Sequence, residues 1–244
     1  MLTADGTVIL DTNQTIQTLN GASTGFINLT GGTITVGDGA FAGTIAGIDP
    51  SFGLTKTTAG TLTLTGPNTY AGPTNINQGT LTLSGAGTLA SPTVNVAVGA
   101  TLNDNNGGLS NAATLTNDGL VNLPVNDTIL ALINSGTING AGTLTAPTYA
   151  LNNGSLINAN LGTGVITSNG TVQLNGTTSA STILIQSGTM TLGGPPARLL
   201  ALPDVTADGT LVLGANEAID TLLGSGAVAL GIRHLTVNNG TFIS

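Results

Sequence analysis

The chain reads as an all-β protein, a right-handed parallel β-helix of about 18 residues per turn and roughly 13 to 14 turns. Three observations predict this class. A short strand motif recurs at near-regular intervals, corner-forming residues precede most recurrences, and a long internal repeat is superposed on the short one. The long repeat is the most visible: Leu2-Thr3-Ala4-Asp5-Gly6-Thr7-Val8-Ile9-Leu10 returns 203 residues later as Val205-Thr206-Ala207-Asp208-Gly209-Thr210-Leu211-Val212-Leu213. It continues through Asn13/Asn216, Ile16/Ile219, Thr18/Thr221, Leu19/Leu222 and Gly21/Gly224. It then resumes two residues out of step at Thr35-Val36/Thr236-Val237 and Phe41/Phe242. Residues 1–244 thus form a single solenoid segment, one long repeat at about 3–205 plus the start of the next at 206–244. That organisation is expected of a piece of a longer protein.

The strand motif is Gly-Thr-apolar-polar-apolar, as in Gly60-Thr61-Leu62-Thr63-Leu64. Period-2 alternation points Leu62 and Leu64 inward and Thr61 and Thr63 outward. Thr, Val and Ile are stiff at χ1 and suit pleated strands, and 37 glycines would interrupt helices of ordinary length. The apolar anchors are Val8, Ile27, Ile45, Leu62, Leu81, Leu102, Val121, Ile138, Leu156, Val172, Met190, Leu211, Val228 and Phe242, with steps from 14 to 21 residues. Asp5, Gln78, Asp118, Asn153, Asn169, Asp208 and Asn239 stand directly before a glycine, where a left-handed residue is expected to turn the corner into the next strand.

A turn of this length has a perimeter of about 60 Å, enough for two or three short sheets. Stacking turns at about 4.8 Å gives parallel ladders around a narrow apolar core and a rod of roughly 60 Å. Left-handed coils built of hexads demand a regular period. The uneven steps and the usual hand of parallel connections point to the right-handed form.

Composition is consistent with a narrow coil. Aromatic residues are 2 % and charged residues 6 %, so solubility rests on outward Thr, Asn, Ser and Gln. A net charge of −8, with Lys56, Arg198 and Arg233 as the cations, argues against nucleic-acid binding. The lack of cysteine fits a secreted chain. No run approaches 18 apolar residues, so no membrane span is expected within the segment. Met1-Leu2-Thr3-Ala4-Asp5 lacks the basic stretch and apolar core of a signal peptide, and Met1 reads as an added start.

The elements Gly53-Leu54-Thr55-Lys56, Gly60-Thr61-Leu62-Thr63-Leu64, Asn68-Thr69-Tyr70 and Gly79-Thr80-Leu81-Thr82-Leu83-Ser84 occur in an order that resembles the passenger-associated repeat of bacterial autotransporters. The stretch from Asn216 to Gly226 resembles the segment that leads into that repeat. The resemblance implies a right-handed β-helical passenger displayed outside a bacterial cell.

Catalytic, cofactor and metal residues are all read as none. Ten Asp and one Glu are spread along the chain. Asp118 and Asp127 could share a turn, and Asp204 and Asp208 flank another, but no Lys, Arg or His accompanies either pair, as an acid-base site on a polysaccharide would need. Arg233-His234 holds the single His, and the two residues face opposite ways on a strand. Asn103-Asp104-Asn105-Asn106-Gly107-Gly108 lacks the acidic spacing of a Ca²⁺ loop and reads as an Asn-rich corner. Residues 193–203, with two adjacent prolines, read as a loop bulging from a corner and covering the core locally. Paired outward threonines flank the anchor only at Thr61/Thr63, Thr80/Thr82 and Thr189/Thr191, too broken an array to match an ice lattice.

The expected function is therefore structural, a stalk or adhesin passenger segment at the bacterial cell surface. Expected partners are neighbouring repeats of the same protein. Residues 1–7 and 238–244 read as ordinary turns rather than caps, so end-to-end association into filaments is also expected. The alternative is an adhesive module for a host glycan or protein, for which Tyr70 and Tyr149 are the aromatic platforms to inspect. Ice binding and polysaccharide cleavage are remote alternatives.

Overall fold

In the computed structural model, residues 1–240 are described and are strand and turn, with no helix among them. Anchor Phe242 and residues 241–244 lie outside the described residues. The chain divides into two compact units, Met1–Ile129 and Leu130–Ser244. Each is a β-solenoid of parallel strands.

Within the first unit three columns of strands line the coil. One runs through Gln14–Gly21, Ile34–Phe41, Leu54–Lys56, Thr74–Ile76, Thr93–Val96 and Thr114–Asn117. A second continues from the far half of Ile34–Phe41 through Thr61–Leu64, Thr80–Leu83, Thr101–Asp104 and Leu120–Asn122. A third consists of Thr7–Leu10, Phe26–Leu29 and Thr44–Ala46. The step between paired residues is 17 for Leu2 and Leu19, 20 for Leu54 and Thr74, and 23 for Gly39 and Leu62. In the second unit Ala131–Asn134 pairs with Thr148–Leu151, then with the start of Val165–Leu174, Thr182–Leu192 and Asp204–Ala207. Thr137–Asn139 begins its second column.

The core of each unit is built of aliphatic side chains. Ile27, Ile45, Leu62, Leu81, Leu102, Val121, Ile138, Val172, Met190 and Leu211 are all buried. Each fully buried Leu or Ile adds about 1.5–3 kcal/mol, and successive turns place like side chains in contact. Two parts of the expected anchor series need correction. Ile45 and Leu62 do not stack, because Leu62 lies over Gly39 and Leu64 over Phe41, while the turn above Ile45 is supplied by Asn68 and Thr69. A fixed step counted across the 47–53 loop therefore changes column unnoticed. Leu156 is half-buried and Ile157 takes the core place, over Ile138 and under Leu174. Two adjacent apolar residues leave alternation ambiguous, and strand pairing resolves it. Val8 and Val228 are half-buried rather than buried.

The corners also differ from expectation. At three of these corners the left-handed residue is the glycine itself, Gly79 (φ 68°), Gly154 (φ 93°) and Gly170 (φ 91°), whereas Gly6, Gly119 and Gly209 turn without positive φ; Thr58 (φ 69°) is the non-glycine with positive φ among the described residues. A residue without a Cβ adopts this conformation at least cost. The preceding Asp or Asn instead turns its side chain to the next coil. Asp5 Oδ1 accepts from Ala22 N at 2.9 Å and Asn153 Oδ1 from Thr171 N at 2.9 Å.

The 203-residue repeat has matching local geometry in its two copies. Asp208 Oδ1 accepts from Ser225 N as Asp5 does from Ala22 N. Asn13 and Asn216 each accept a backbone N–H from the following turn, Thr33 and His234 respectively. The partner steps differ by two residues, Gln14 with Ile34 against Glu217 with Leu235, which is the slip seen in the sequence.

Leu81→Asp places a carboxylate in this core without a partner and should lower unfolding stability by about 4 kcal/mol in urea melts. Thr82→Asp, on the outward side, should change it by less than about 0.5 kcal/mol. Equal losses would invalidate the inside-outside register.

Candidate functional site

Four polar residues of the 54–83 stretch are the first surprise, because they point inward. Lys56, Asn68, Tyr70 and Thr74 are all buried, Lys56 with 0 % of its surface exposed. Lys56 ends the strand Leu54–Lys56, and its Nζ donates to the carbonyls of Thr57 at 2.6 Å, Thr58 at 2.8 Å and Gln78 at 3.1 Å. Thr57 and Thr58 belong to a corner in which Thr58 adopts positive φ, and Gln78 lies on the following turn. The ammonium, with three donors, replaces what the ladder cannot supply. Burial pulls the Lys56 pKa below the ordinary lysine value, with Asp38 opposing that shift.

Asn68 plays the same part on the third side of the coil. Its Oδ1 accepts from Ile45 N at 3.1 Å, and its Nδ2 donates to Gly66 O at 2.9 Å and Thr88 O at 3.1 Å. Tyr70 shares a 2.6 Å hydrogen bond with Thr74 Oγ1, and burial pushes its phenol well above the usual tyrosine range. Tyr149 is buried too. Its hydroxyl accepts from Ala146 N at 2.8 Å and lies within donating distance of the Leu144 and Thr163 carbonyls. Neither tyrosine is available as a platform for a sugar. Lys56 is likewise not a surface cation.

The acids are rearranged as well. Asp118 is exposed, whereas Asp127 is buried against Asp104, so the pairing drawn from sequence proximity is not the one formed. Asp104 Oδ1 accepts from Gly108 N at 2.8 Å, which makes the Asn-rich segment a corner closed by its own carboxylate. Asp204 is exposed, and Asp208 is engaged with Ser225. His234 is exposed and precedes the strand Leu235–Gly240, with its backbone N–H on Asn216.

Residues 193–203 form the expected loop between the strands Thr182–Leu192 and Asp204–Ala207. Leu199 enters the core, held by a parallel bridge to Thr178, while Leu200 and Leu202 stay exposed. Buried Glu217 anchors the loop by accepting from Arg198 N at 2.7 Å and Leu199 N at 3.1 Å. Sequence reading missed this role of Glu217.

Outward positions form columns of short amides and hydroxyls that bond from turn to turn. Asn95 Nδ2 donates to Asn75 Oδ1 at 2.8 Å, Asn122 to Asn103 at 2.8 Å, and Asn103 to Thr82 Oγ1 at 3.2 Å. In the second unit Asn158 donates to Asn139 at 2.7 Å and Asn175 to Asn158 at 2.8 Å. A surface pocket of about 420 Å³ lies in the first unit, lined by Asn28, Leu29, Thr30, Ile48, Asp49 and Phe52. Asp49 is held by Ser51, whose N–H and hydroxyl both donate to Oδ1 and keep its pKa below the usual carboxylate value.

A parallel β-solenoid whose polar residues staple one coil to the next is a repeat-built scaffold. Residues 54–83 match the family model of the passenger-associated-transport-repeat, which supports an autotransporter passenger repeat over that stretch. Neither a curated protein nor a solved structure matches the chain. The matched residues are those in which Lys56, Asn68, Tyr70 and Thr74 are buried, and the motif is thereby explained as a corner-stapling device.

Lys56→Met removes the donor from three backbone carbonyls and should cost about 3 kcal/mol of unfolding stability. Tyr70→Phe should cost about 1 kcal/mol through the lost hydrogen bond to Thr74. Thermal melts that left both variants at wild-type stability would contradict the stapling role.

Proposed function

We propose that the chain is a structural segment of a cell-surface passenger, a stalk or adhesin part that acts by reach and display and carries no catalytic activity. The observation that carries this reading is the use of polar side chains. Outward amides and hydroxyls bond to the next turn, as in the Thr82, Asn103 and Asn122 column, and inward ones cap corner carbonyls. Side chains so engaged serve the coil rather than a substrate. The passenger repeat at 54–83 supports an extracellular setting. Its partners would be neighbouring repeats of the same protein, since residues 205–224 restate the strand pattern and corner residues of 2–21.

One observation favours a second reading as an adhesive module. The pocket around Phe52 combines an aromatic ring, the 98 % exposed Ile48 and the polar groups of Asn28, Thr30 and Asp49, a mixture suited to one face of a saccharide. A glycan array comparing the wild type with Phe52→Ala decides between the two readings: retention that disappears in the variant favours the module, and none favours the stalk.

Incubation with pectin, alginate and hyaluronan should release no reducing or unsaturated ends. Turnover abolished by Asp118→Asn or Asp127→Asn would overturn the non-catalytic reading. On intact cells making the parent protein, external protease should remove an epitope placed in this segment. Protection until lysis would refute surface display.

A further inference from the structure

Asp104 and Asp127 form the least expected constellation in the molecule. Asp104 is 0 % exposed and Asp127 8 %, and their carboxyl groups lie within hydrogen-bonding reach of each other. Asp104 terminates Thr101–Asp104, and Asp127 opens Asp127–Thr128. Three of the four oxygens accept backbone N–H groups: Asp104 Oδ1 from Gly108 at 2.8 Å, Asp127 Oδ2 from Leu109 at 3.1 Å and Asp127 Oδ1 from Thr128 at 2.7 Å. The fourth, Asp104 Oδ2, is buried and receives no N–H or O–H donor of the protein.

No positive side chain stands by to neutralise the pair. Between Tyr70 and Tyr149 the ionisable side chains are Asp104, Asp118 and Asp127, and Asp118 is exposed. The strands flanking Thr101–Asp104, namely Thr80–Leu83 and Leu120–Asn122, hold none. Two buried carboxylates in contact cannot both remain ionised at small cost. A proton between Asp127 and Asp104 Oδ2 supplies the missing donor and removes the repulsion together. With three oxygens already committed to amides, the arrangement fits a shared proton better than a metal ion, which needs several free oxygen ligands.

We propose that the Asp104–Asp127 pair is a proton-held clasp that ties the 104–109 corner to the following turn, firm in acid and loosened as the proton is lost. The corner amides are the groups that respond, because Gly108, Leu109 and Thr128 are held by the two carboxyls. Burial first, then the hydrogen bond and charge of Asp104, push the Asp127 carboxyl up to about 7 from 3.8. A pKa raised in the closed form means that its contribution is complete below the ordinary value and is lost as pH rises through the raised one. The opening equilibrium should therefore rise by up to about tenfold per pH unit between 4 and 7 and level off above 7.

The test is amide hydrogen exchange on the whole chain between pH 4 and 8.5, expressed as protection factors so that intrinsic base catalysis is removed. Protection of Gly108, Leu109 and Thr128 should fall through this range while that of Leu62 and Leu81 stays level. Asp104→Asn puts an amide nitrogen where the orphan oxygen lies and keeps the acceptor for Gly108, so it should abolish the pH dependence and raise protection at pH 7.5. Asp127→Asn, which costs an acceptor for Leu109 or Thr128, should lower protection at every pH. An unchanged pH profile in Asp104→Asn would overturn the clasp. So would protection at pH 7.5 restored by millimolar CaCl₂ to its pH 4 value, which would make the pair a cation site instead.

Discussion

The structure depends on one constraint: the backbone groups of each strand must find their partners in the coil before or after it. A strand in a parallel solenoid has no hairpin neighbour, so its N–H and C=O groups are satisfied only when the same residues of successive turns are in register. Straight runs meet this easily, and the pairing of Thr61–Leu64, Thr80–Leu83 and Thr101–Asp104 repeats with no slip. Corners do not, because there the peptide planes rotate away from the ladder. The irregular part of the chain can be understood as the response to that difficulty.

Three responses are visible. Asp5, Asn153 and Asp208 pass a side-chain oxygen to an N–H of the next turn. Lys56, Asn68 and Ser91 reach the other way and give donors to stranded carbonyls, at the cost of burying polar atoms in a core otherwise aliphatic. Such burial is tolerable because each group is fully bonded, and it would be destabilising for any of them alone. Asp104 and Asp127 are the third response, two acceptors serving backbone donors at one corner with no cation to balance them.

These uses of polar residues bear on function. Here Lys56, Asp104, Asp127 and Glu217 are buried and turned to internal bonding, and the outward columns of Asn and Thr bond to one another along the coil. The passenger-repeat stretch 54–83 is the clearest instance, since its Lys56, Asn68, Tyr70 and Thr74 are all buried.

Much of this was legible in the sequence by itself. Alternation of apolar and polar residues is a property of each strand alone, so the strand class, the inward placing of Leu62, Leu81 and Leu102, the 193–203 loop and the absence of helix among the described residues could be read locally. The 203-residue repeat, slip included, was equally a matter of residue identity. Only the tertiary structure decided which strand lies on which. That choice depends on loop lengths summed around a whole turn, which is why Ile45 and Leu62 fall in different columns and Ile157 displaces Leu156 from the core. It also decided the fate of the polar residues. Whether Lys56 is a surface cation or a carbonyl cap, and whether Asp127 meets Asp118 or Asp104, turns on what the neighbouring coil presents at that height, and no local pattern records it.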